Sequence, residues 1–351
     1  VSLMTHKTTG QVVSLYGVEQ LQFDDATASL TKTAASGEFQ INTSTSGYST
    51  GPSTVVLSDG GFVVTWWSNN SILGQRFDEN GNAIGAEFGT GADGFPETFG
   101  LGDGGFGITW TSRSVGGDLS GPIVVRLYDA QGNSNGDKFQ AINDYNYYKV
   151  SSAVLSDGGF VLASASHDDD LFYTREADGD LWGVFAQRYD ANGNASGAGF
   201  QVNTHTMKSQ EAPVVTALND GGFVVTWQSN GQDVNYWGIF AQRYDANGNT
   251  NGSEFQVEAK TSGYQNQPRT VALNDGGFVV TWQNGRGTKA QQYDANGNAS
   301  GAEFLVNWAL TGSGVGDSVR LIDGDFVVTW VNSYGIYGRR FDINGDASSW
   351  N

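Results

Sequence analysis

The residues able to do chemistry crowd into one uneven part of the chain. His167-Asp-Asp-Asp-Leu-Phe-Tyr-Thr-Arg-Glu-Ala-Asp-Gly-Asp180 is preceded by Asp144-Tyr-Asn-Tyr-Tyr-Lys149. It is followed by Asn203-Thr-His-Thr-Met-Lys-Ser-Gln-Glu211 and by Gln232, Asp233, Tyr236 and Trp237. Three chemistries fit these types. His167 or His205 with Tyr147 or Tyr173 and Arg175 could abstract a proton next to a sugar carboxylate. Two carboxyls drawn from Asp168, Asp169, Asp170, Glu176 and Glu211 could cleave a glycosidic bond. His167, Asp168, Asp169, Asp170, His205 and Glu211 could ligate a metal, although no accepted ligand spacing is met. For binding, Tyr145, Tyr147, Tyr148, Tyr173, Tyr236 and Trp237 offer flat rings with polar tips, suited to stacking on sugars. Lys149, His167 and Arg175 stand ready to contact a bound ligand. Against each stands a plain reading: packed loop aromatics and solvated acids.

The elements that must position these residues repeat. The stretch Ala217–Asn249, ALNDGGFVVTWQ then GIFAQRYDANGN, has close copies along most of the chain. An Asp-Gly turn recurs at Asp59, Asp103, Asp157, Asp220, Asp275 and Asp323. A second signature, Asp-x-Asn/Gln-Gly-Asn/Asp, starts at Asp78, Asp129, Asp190, Asp245, Asp294 and Asp342. A Phe in the frame GxEFQVN recurs at Phe39, Phe88, Phe139, Phe200, Phe255 and Phe304. Three markers at a period of about 50 residues are the signature of a propeller or another repeat array.

Each unit parses into four strands. In the fourth these are Pro213–Leu218, Phe223–Gln228, Ile239–Tyr244 and Glu254–Val257, joined by Asp-Gly turns whose glycines tolerate positive φ. A strand-two Trp recurs at Trp66, Trp110, Trp227, Trp282 and Trp330, and is expected to fill the wedge between neighbouring sheets; unit three has Ser164 there. The last unit ends without its EFQVN strand, whereas Phe39 supplies one at the other end. The expected fold is therefore an all-β, six-bladed propeller of four-stranded antiparallel blades spanning residues 37–351. An N-terminal strand on the last blade closes it. Residues 1–36 form a separate strand-rich extension, and if they joined the ring it would count seven blades.

Composition narrows the partners. The 351 residues carry a formal charge of −19 and no cysteine. Nucleic acid is disfavoured, because phosphates need Lys/Arg neutralisation; disulfides, thiolate metal sites and a cysteine nucleophile are excluded. No apolar run reaches the roughly 18 residues of a membrane span. The Asp-x-Asn-Gly-Asn turns at Asp78, Asp129, Asp190, Asp245, Asp294 and Asp342 present alternate oxygens that could hold calcium. Each has one certain carboxylate, and hairpin turns capped by Asp explain them as well.

The repeat DGGFVVTWQS…GIFAQRYDANGN…EFQVN resembles those found in tandem in large secreted bacterial surface proteins. Residues 17–30, GVEQLQFDDATASL, resemble the segment that follows calcium-binding repeats in RTX-type exported proteins. The strand layout is similar to sialidase-like propellers with Asp-box turns, although the Asp-box itself is missing and no trio of substrate-carboxylate arginines can be placed. These resemblances imply a secreted or cell-surface setting within a larger polypeptide or assembly. The expectation placed first is a non-catalytic propeller that binds glycan or another surface partner through the rim of blades three and four. A polysaccharide lyase or glycosidase at that rim comes second, and a structural subunit of an extracellular assembly third.

Overall fold

The computed structural model describes residues 2–5, 12–15, 20–22, 27–29, 40–43, 48–112, 121–142, 150–167, 182–233, 236–258, 263–285, 287–308, 314–321, 324–332 and 335–348. Every regular element among them is a strand. Residues Val1–Thr43 with Ser349–Asn351 form one compact unit and Ser44–Ser348 another. The smaller unit contains two hairpins, Ser2–Thr5 with Val12–Leu15 and Gln20–Gln22 with Thr27–Ser29. No helix among the described residues is long and apolar enough to cross a membrane.

The larger unit is a succession of six four-stranded antiparallel sheets, the blades of a six-bladed propeller. Blade one has strands Ser49–Val56, Phe62–Ser68, Ser71–Phe77 and Ala83–Gly89. Blade two has Pro96–Gly100, Phe106–Thr111, Ile123–Tyr128 and Ser134–Ile142. Blade three has Ser151–Val154, Phe160–His167, Trp182–Tyr189 and Phe200–Gln201. Blade four has Gln210–Ala217, Phe223–Asn230, Trp237–Tyr244 and Phe255–Gln256. Blade five has Gln265–Ala272, Phe278–Asn284, Gly287–Tyr293 and Ala299–Trp308. Blade six has Gly314–Arg320, Phe326–Asn332, Gly335–Phe341 and Ala347–Ser348. Its fourth lane is occupied next to the turn by Ala347–Ser348, which pairs with Arg340 and Phe341. Of the expected closing strand, Phe39 lies outside the described residues, and Gln40–Asn42 belong to no strand.

The blades are glued by the apolar residues of their second and third strands. Trp227 of blade four is fully buried in a cluster with Leu155, Val161, Val184 and Val202 of blade three. Trp282 packs on Leu218, Val224 and Ile239 of blade four, Trp330 on Val279 and Ala290 of blade five, and Trp110 on Leu57, Val63 and Ile72 of blade one. The recurring indole thus fills the wedge against the preceding blade, as its spacing predicts. Near the innermost strands, hydroxyl pairs add polar stitches between blades: Thr65 to Thr98 at 2.6 Å and Thr226 to Thr270 at 2.9 Å.

Both regular turns of each blade lie on one rim, because consecutive strands run antiparallel. There the hairpin Asp accepts a hydrogen bond from the glycine two residues on, Asp220 from Gly222 at 2.9 Å. Its other oxygen meets a third-strand arginine: Arg243 to Asp220 at 3.0 Å and Arg188 to Asp157 at 3.2 Å, with the same pairing of Arg76 and Asp59. A Cβ at Gly222 would lie 2.2 Å from the Tyr244 carbonyl oxygen, so only glycine fits. The regular rim is a scaffold, and the irregular loops share the other rim.

Candidate functional site

On the irregular rim, blade four gathers several carboxyls among the described residues. Glu211 enters on the innermost strand, opposite Gln228 of the second strand. Gln228 in turn pairs with Ile239 of the third. The amide of Ile239 donates to Glu258 Oε2 at 2.9 Å, so Glu258, just beyond the fourth strand, stands at the far end of the same rung. One rung therefore carries a carboxyl at each side of the blade.

These two acids are held toward their protonated forms. Burial raises Glu211, which is half-buried, against hydrogen bonds from Gln228 and Ser209. Burial also lifts Glu258 to about 7, and the neighbouring Asp233 charge adds to the effect. Desolvation of the charged form is the dominant cause in both cases. Glu258 Oε1 further accepts from Gln256 Nε2 at 3.0 Å. Asp233 is itself only 2% exposed. Carboxyls raised above their ordinary range by burial in one loop cluster mark a candidate site.

Neighbouring loops frame this rung. Glu254 accepts from the Thr204 amide at 2.6 Å and from Gln232 Nε2, tying the loop that leaves blade three to the loop of blade four. Asn203 Nδ2 donates to the His205 carbonyl at 2.8 Å and to Gln210 Oε1 at 3.0 Å. His205 Nε2 is buried with no hydrogen-bond partner among the described residues. Gln228 Oε1 accepts from the Gln267 amide at 3.1 Å, linking the rung to blade five. Tyr236 and Tyr264, both exposed, lie with ring centroids 5.1 Å apart beside it.

Of the residues expected from sequence, His205, Glu211, Asp233, Tyr236 and Trp237 are thus placed at the loop end of blade four or on the connection entering it. Tyr145, Tyr147, Tyr148, Lys149, Asp168, Asp169, Asp170, Tyr173, Arg175 and Glu176 lie outside the described residues, as does the side chain of His167. Ser164, where the other units have Trp, is fully buried between blades.

The six turn aspartates have a different character. Asp245 Oδ1 accepts from the amides of Asn247 and Asn249, both at 2.8 Å, and Oδ2 from Asn249 Nδ2 at 3.0 Å. Asp78, Asp129, Asp190, Asp294 and Asp342 each accept the same two amide bonds and an Asn side-chain bond. The Asn side-chain bond is the main reason Asp78, Asp129, Asp190, Asp245 and Asp294 are held below the usual carboxylate range. A calcium ion would have to displace N–H donors that already satisfy these oxygens, so the turns do not fit a resident cation. Among the described residues no three His, Asp or Glu converge as metal ligands.

Glu258 carried a sequence signal that the motif reading passed over. In GxEFQVN the last position is Asn42, Asn203 and Asn307 in three of the six copies, Gly91 and Ile142 in two, and Glu258 in blade four. Structurally the substitution keeps one function of the Asn. Asn203 Oδ1 accepts from the Val184 amide and Asn307 Oδ1 from that of Thr288, both at 2.8 Å, as Glu258 accepts from Ile239. It replaces an amide with an ionisable group.

No protein-family model matches the chain, and no curated protein matches it. Its fold is shared with solved structures. The α-L-arabinofuranosidase of Fusarium graminearum, in complex with arabinobiose, is 12% identical with TM-score 0.55, covering 86% of this chain and 96% of that one. The α-L-arabinanase of Penicillium chrysogenum with arabinobiose is 15% identical with TM-score 0.52, covering 83% and 92%. Kuenenia stuttgartiensis hydrazine synthase is 14% identical with TM-score 0.56, covering 84% and 80%. At these identities the likeness is one of fold. It nevertheless corrects the order of the functional expectations. With glycan-cleaving enzymes on this fold at near-full length, the non-catalytic binding module is set aside in favour of the glycan-cleaving alternative.

Proposed function

We propose that the chain is a glycoside hydrolase acting on a neutral polysaccharide at the loop rim of blade four. The observation that carries this reading is the rung Glu211–Gln228–Ile239–Glu258, with burial holding both terminal carboxyls toward the protonated state. Glycosidic cleavage needs a carboxylic acid to protonate the leaving oxygen and a second carboxyl to act as base or nucleophile. Glu211 takes the first role, since it lies on the innermost strand and is only half-buried. Asp233, in the loop between the second and third strands and beside Glu258, supplies the second carboxyl. Gln228 holds the Glu211 carboxyl and is itself held by the Gln267 amide. The arabinobiose-bound relatives of this fold support a sugar polymer as substrate class. The acidic surface, at −19, favours an uncharged polymer over an anionic one.

The proton-abstracting alternative rests on Tyr147, Tyr173 and Arg175, which no described geometry supports, and it takes second place. The setting we infer is extracellular, within a larger exported polypeptide of the RTX-like kind. The resemblance of the repeats supports that setting.

The test is incubation of the protein with arabinan, galactan, xylan and mixed-linkage glucan, reading new reducing ends, beside polyuronates read by ultraviolet absorbance of an unsaturated product. Reducing ends from a neutral polymer, lost in Glu211→Gln, support the proposal. Unsaturated product from a uronate would replace it with lyase chemistry.

A further inference from the structure

Three blades away from the acid cluster, on the same irregular rim, blade one carries a different construction. Trp67, at the end of the second strand, lies between two other rings. Tyr48 meets it edge-on at 6.3 Å and 67°, and Phe95 lies tilted at 6.1 Å and 45°. Tyr48 is 69% exposed and Phe95 52%, an outlay of apolar surface in one cluster.

The cluster is built and held, which separates it from casual exposure. The indole Nε1 of Trp67 donates to Asp93 Oδ1 at 2.6 Å, fixing the ring plane. Phe95, which belongs to the entry of blade two, lies over Gly51 of blade one: a Cβ at Gly51 would come within 2.8 Å of Phe95 Cδ1. Gly51 also has φ of +60°, in the bulge where blades four and five have Ala212 and Gln267 with positive φ. Glycine at this one copy both tolerates the turn and leaves a seat for a ring. The position of Trp67 is Thr111 in blade two, Ala165 in blade three, Gln228 in blade four, Gln283 in blade five and Val331 in blade six. The aromatic is therefore no requirement of the repeat.

We propose that Tyr48, Trp67 and Phe95 form a stacking subsite for an uncharged sugar ring of the polysaccharide. Non-coplanar rings make a cradle for the C–H faces of a saccharide, and polar tips and a carboxylate suit its hydroxyls. Asp93 in the cradle disfavours an anionic polymer. The subsite holds a part of the polymer remote from the bond cleaved at blade four, and in that sense it rests on the proposed hydrolase activity.

The experiment uses the Glu211→Gln protein, so that binding is read without turnover. Affinity electrophoresis and intrinsic tryptophan fluorescence are followed against arabinan, galactan, xylan and mixed-linkage glucan, with and without Trp67→Ala. A second variant, Phe95→Ala, removes another ring of the cradle and leaves Trp67 in place. The expected result is a 5- to 10-fold loss of affinity for one neutral polymer in either variant, the scale of one stacking contact. Undiminished polymer binding in both variants overturns the subsite. So does absence of binding to every neutral polymer, or a Trp67-dependent self-association in sedimentation, which would give the cradle to a second copy. Trp67-dependent binding by a protein that cleaves nothing would uphold the subsite and sink the hydrolase reading, so the two failures are distinguishable.

Discussion

Blades one and four are the same frame carrying different chemistry. Opposite the end of the second strand, blade one has Thr50 facing Trp67, and blade four has Glu211 facing Gln228. In the bulge that follows, Gly51 leaves room for a phenyl ring where Ala212 leaves none. Past the fourth strand, Gly91 has no side chain and the Ala92 carbonyl accepts the Ile72 amide; in blade four Glu258 takes that amide with a carboxylate. The backbone demand is identical in both, and only the group that meets it differs. The repeat fixes where a side chain will stand, and departures from the repeat at the loop rim change which group stands there.

Breaking the comparison has its largest expected effect at Glu211. Replacing it by Gln keeps its shape and removes its proton, and should lower turnover by about 10²- to 10⁴-fold, the usual scale of general acid–base catalysis. Thermal unfolding should be nearly unchanged. The corresponding change in blade one, Thr50→Ala, should leave turnover within about twofold.

Next in size are two tryptophans with opposite duties. Trp227 is fully buried between blades, and Trp227→Ala should cost about 3–5 kcal/mol in denaturant unfolding. Trp67→Ala should cost under about 1 kcal/mol and show itself in polymer affinity instead. Equal stability losses would erase the distinction between glue and platform.

A third test sharpens the role of Glu258. Its carboxyl is raised to about 7 in the folded protein, so the folded state binds more protons than the unfolded between the ordinary glutamate value and 7. Stability from this group is complete below about 4.5 and is lost as the pH rises through 7, up to roughly 3 kcal/mol. Glu258→Gln keeps an acceptor for the Ile239 amide and abolishes the titration. The difference in unfolding free energy between variant and wild type should therefore grow in the variant's favour from pH 5 to pH 8. A pH-independent difference would show that Glu258 titrates normally.

The smallest expected effect is that of metal removal. Excess chelator should move the melting temperature by no more than about 1 °C, because the turn aspartates are already satisfied by N–H donors. A drop of many degrees, restored by calcium, would show an ion in those turns.

The architecture was legible because its signals are periodic. The Asp-Gly turns, the strand-two tryptophans and the alternation of Phe223, Val225 and Trp227 each report a backbone constraint that recurs at fixed spacing. Of the proposed site, the sequence marks only a location. Glu211, Tyr236 and Trp237 stood out because their loops are uneven, whereas Glu258 was hidden inside a motif, where it reads as a structural position. Its chemistry comes from burial beside Asp233, a proximity that no spacing along the chain encodes. Trp67 was similarly masked by its neighbour Trp66, a regular wedge residue. The repeat itself held the missing signal, in copies that depart from it: a Glu at 258 where three copies have Asn, and an added Trp at 67.

The most direct test of the central claim is the initial rate of reducing-end release from a panel of neutral polysaccharides. Wild type, Glu211→Gln and Asp233→Asn would be assayed side by side at matched thermal stability. Cleavage of one polymer by wild type, with both variants reduced at least about 100-fold, is the predicted result. Undiminished cleavage in the variants, or none by the wild type on any neutral polymer, would contradict a hydrolytic site on the loop rim of blade four.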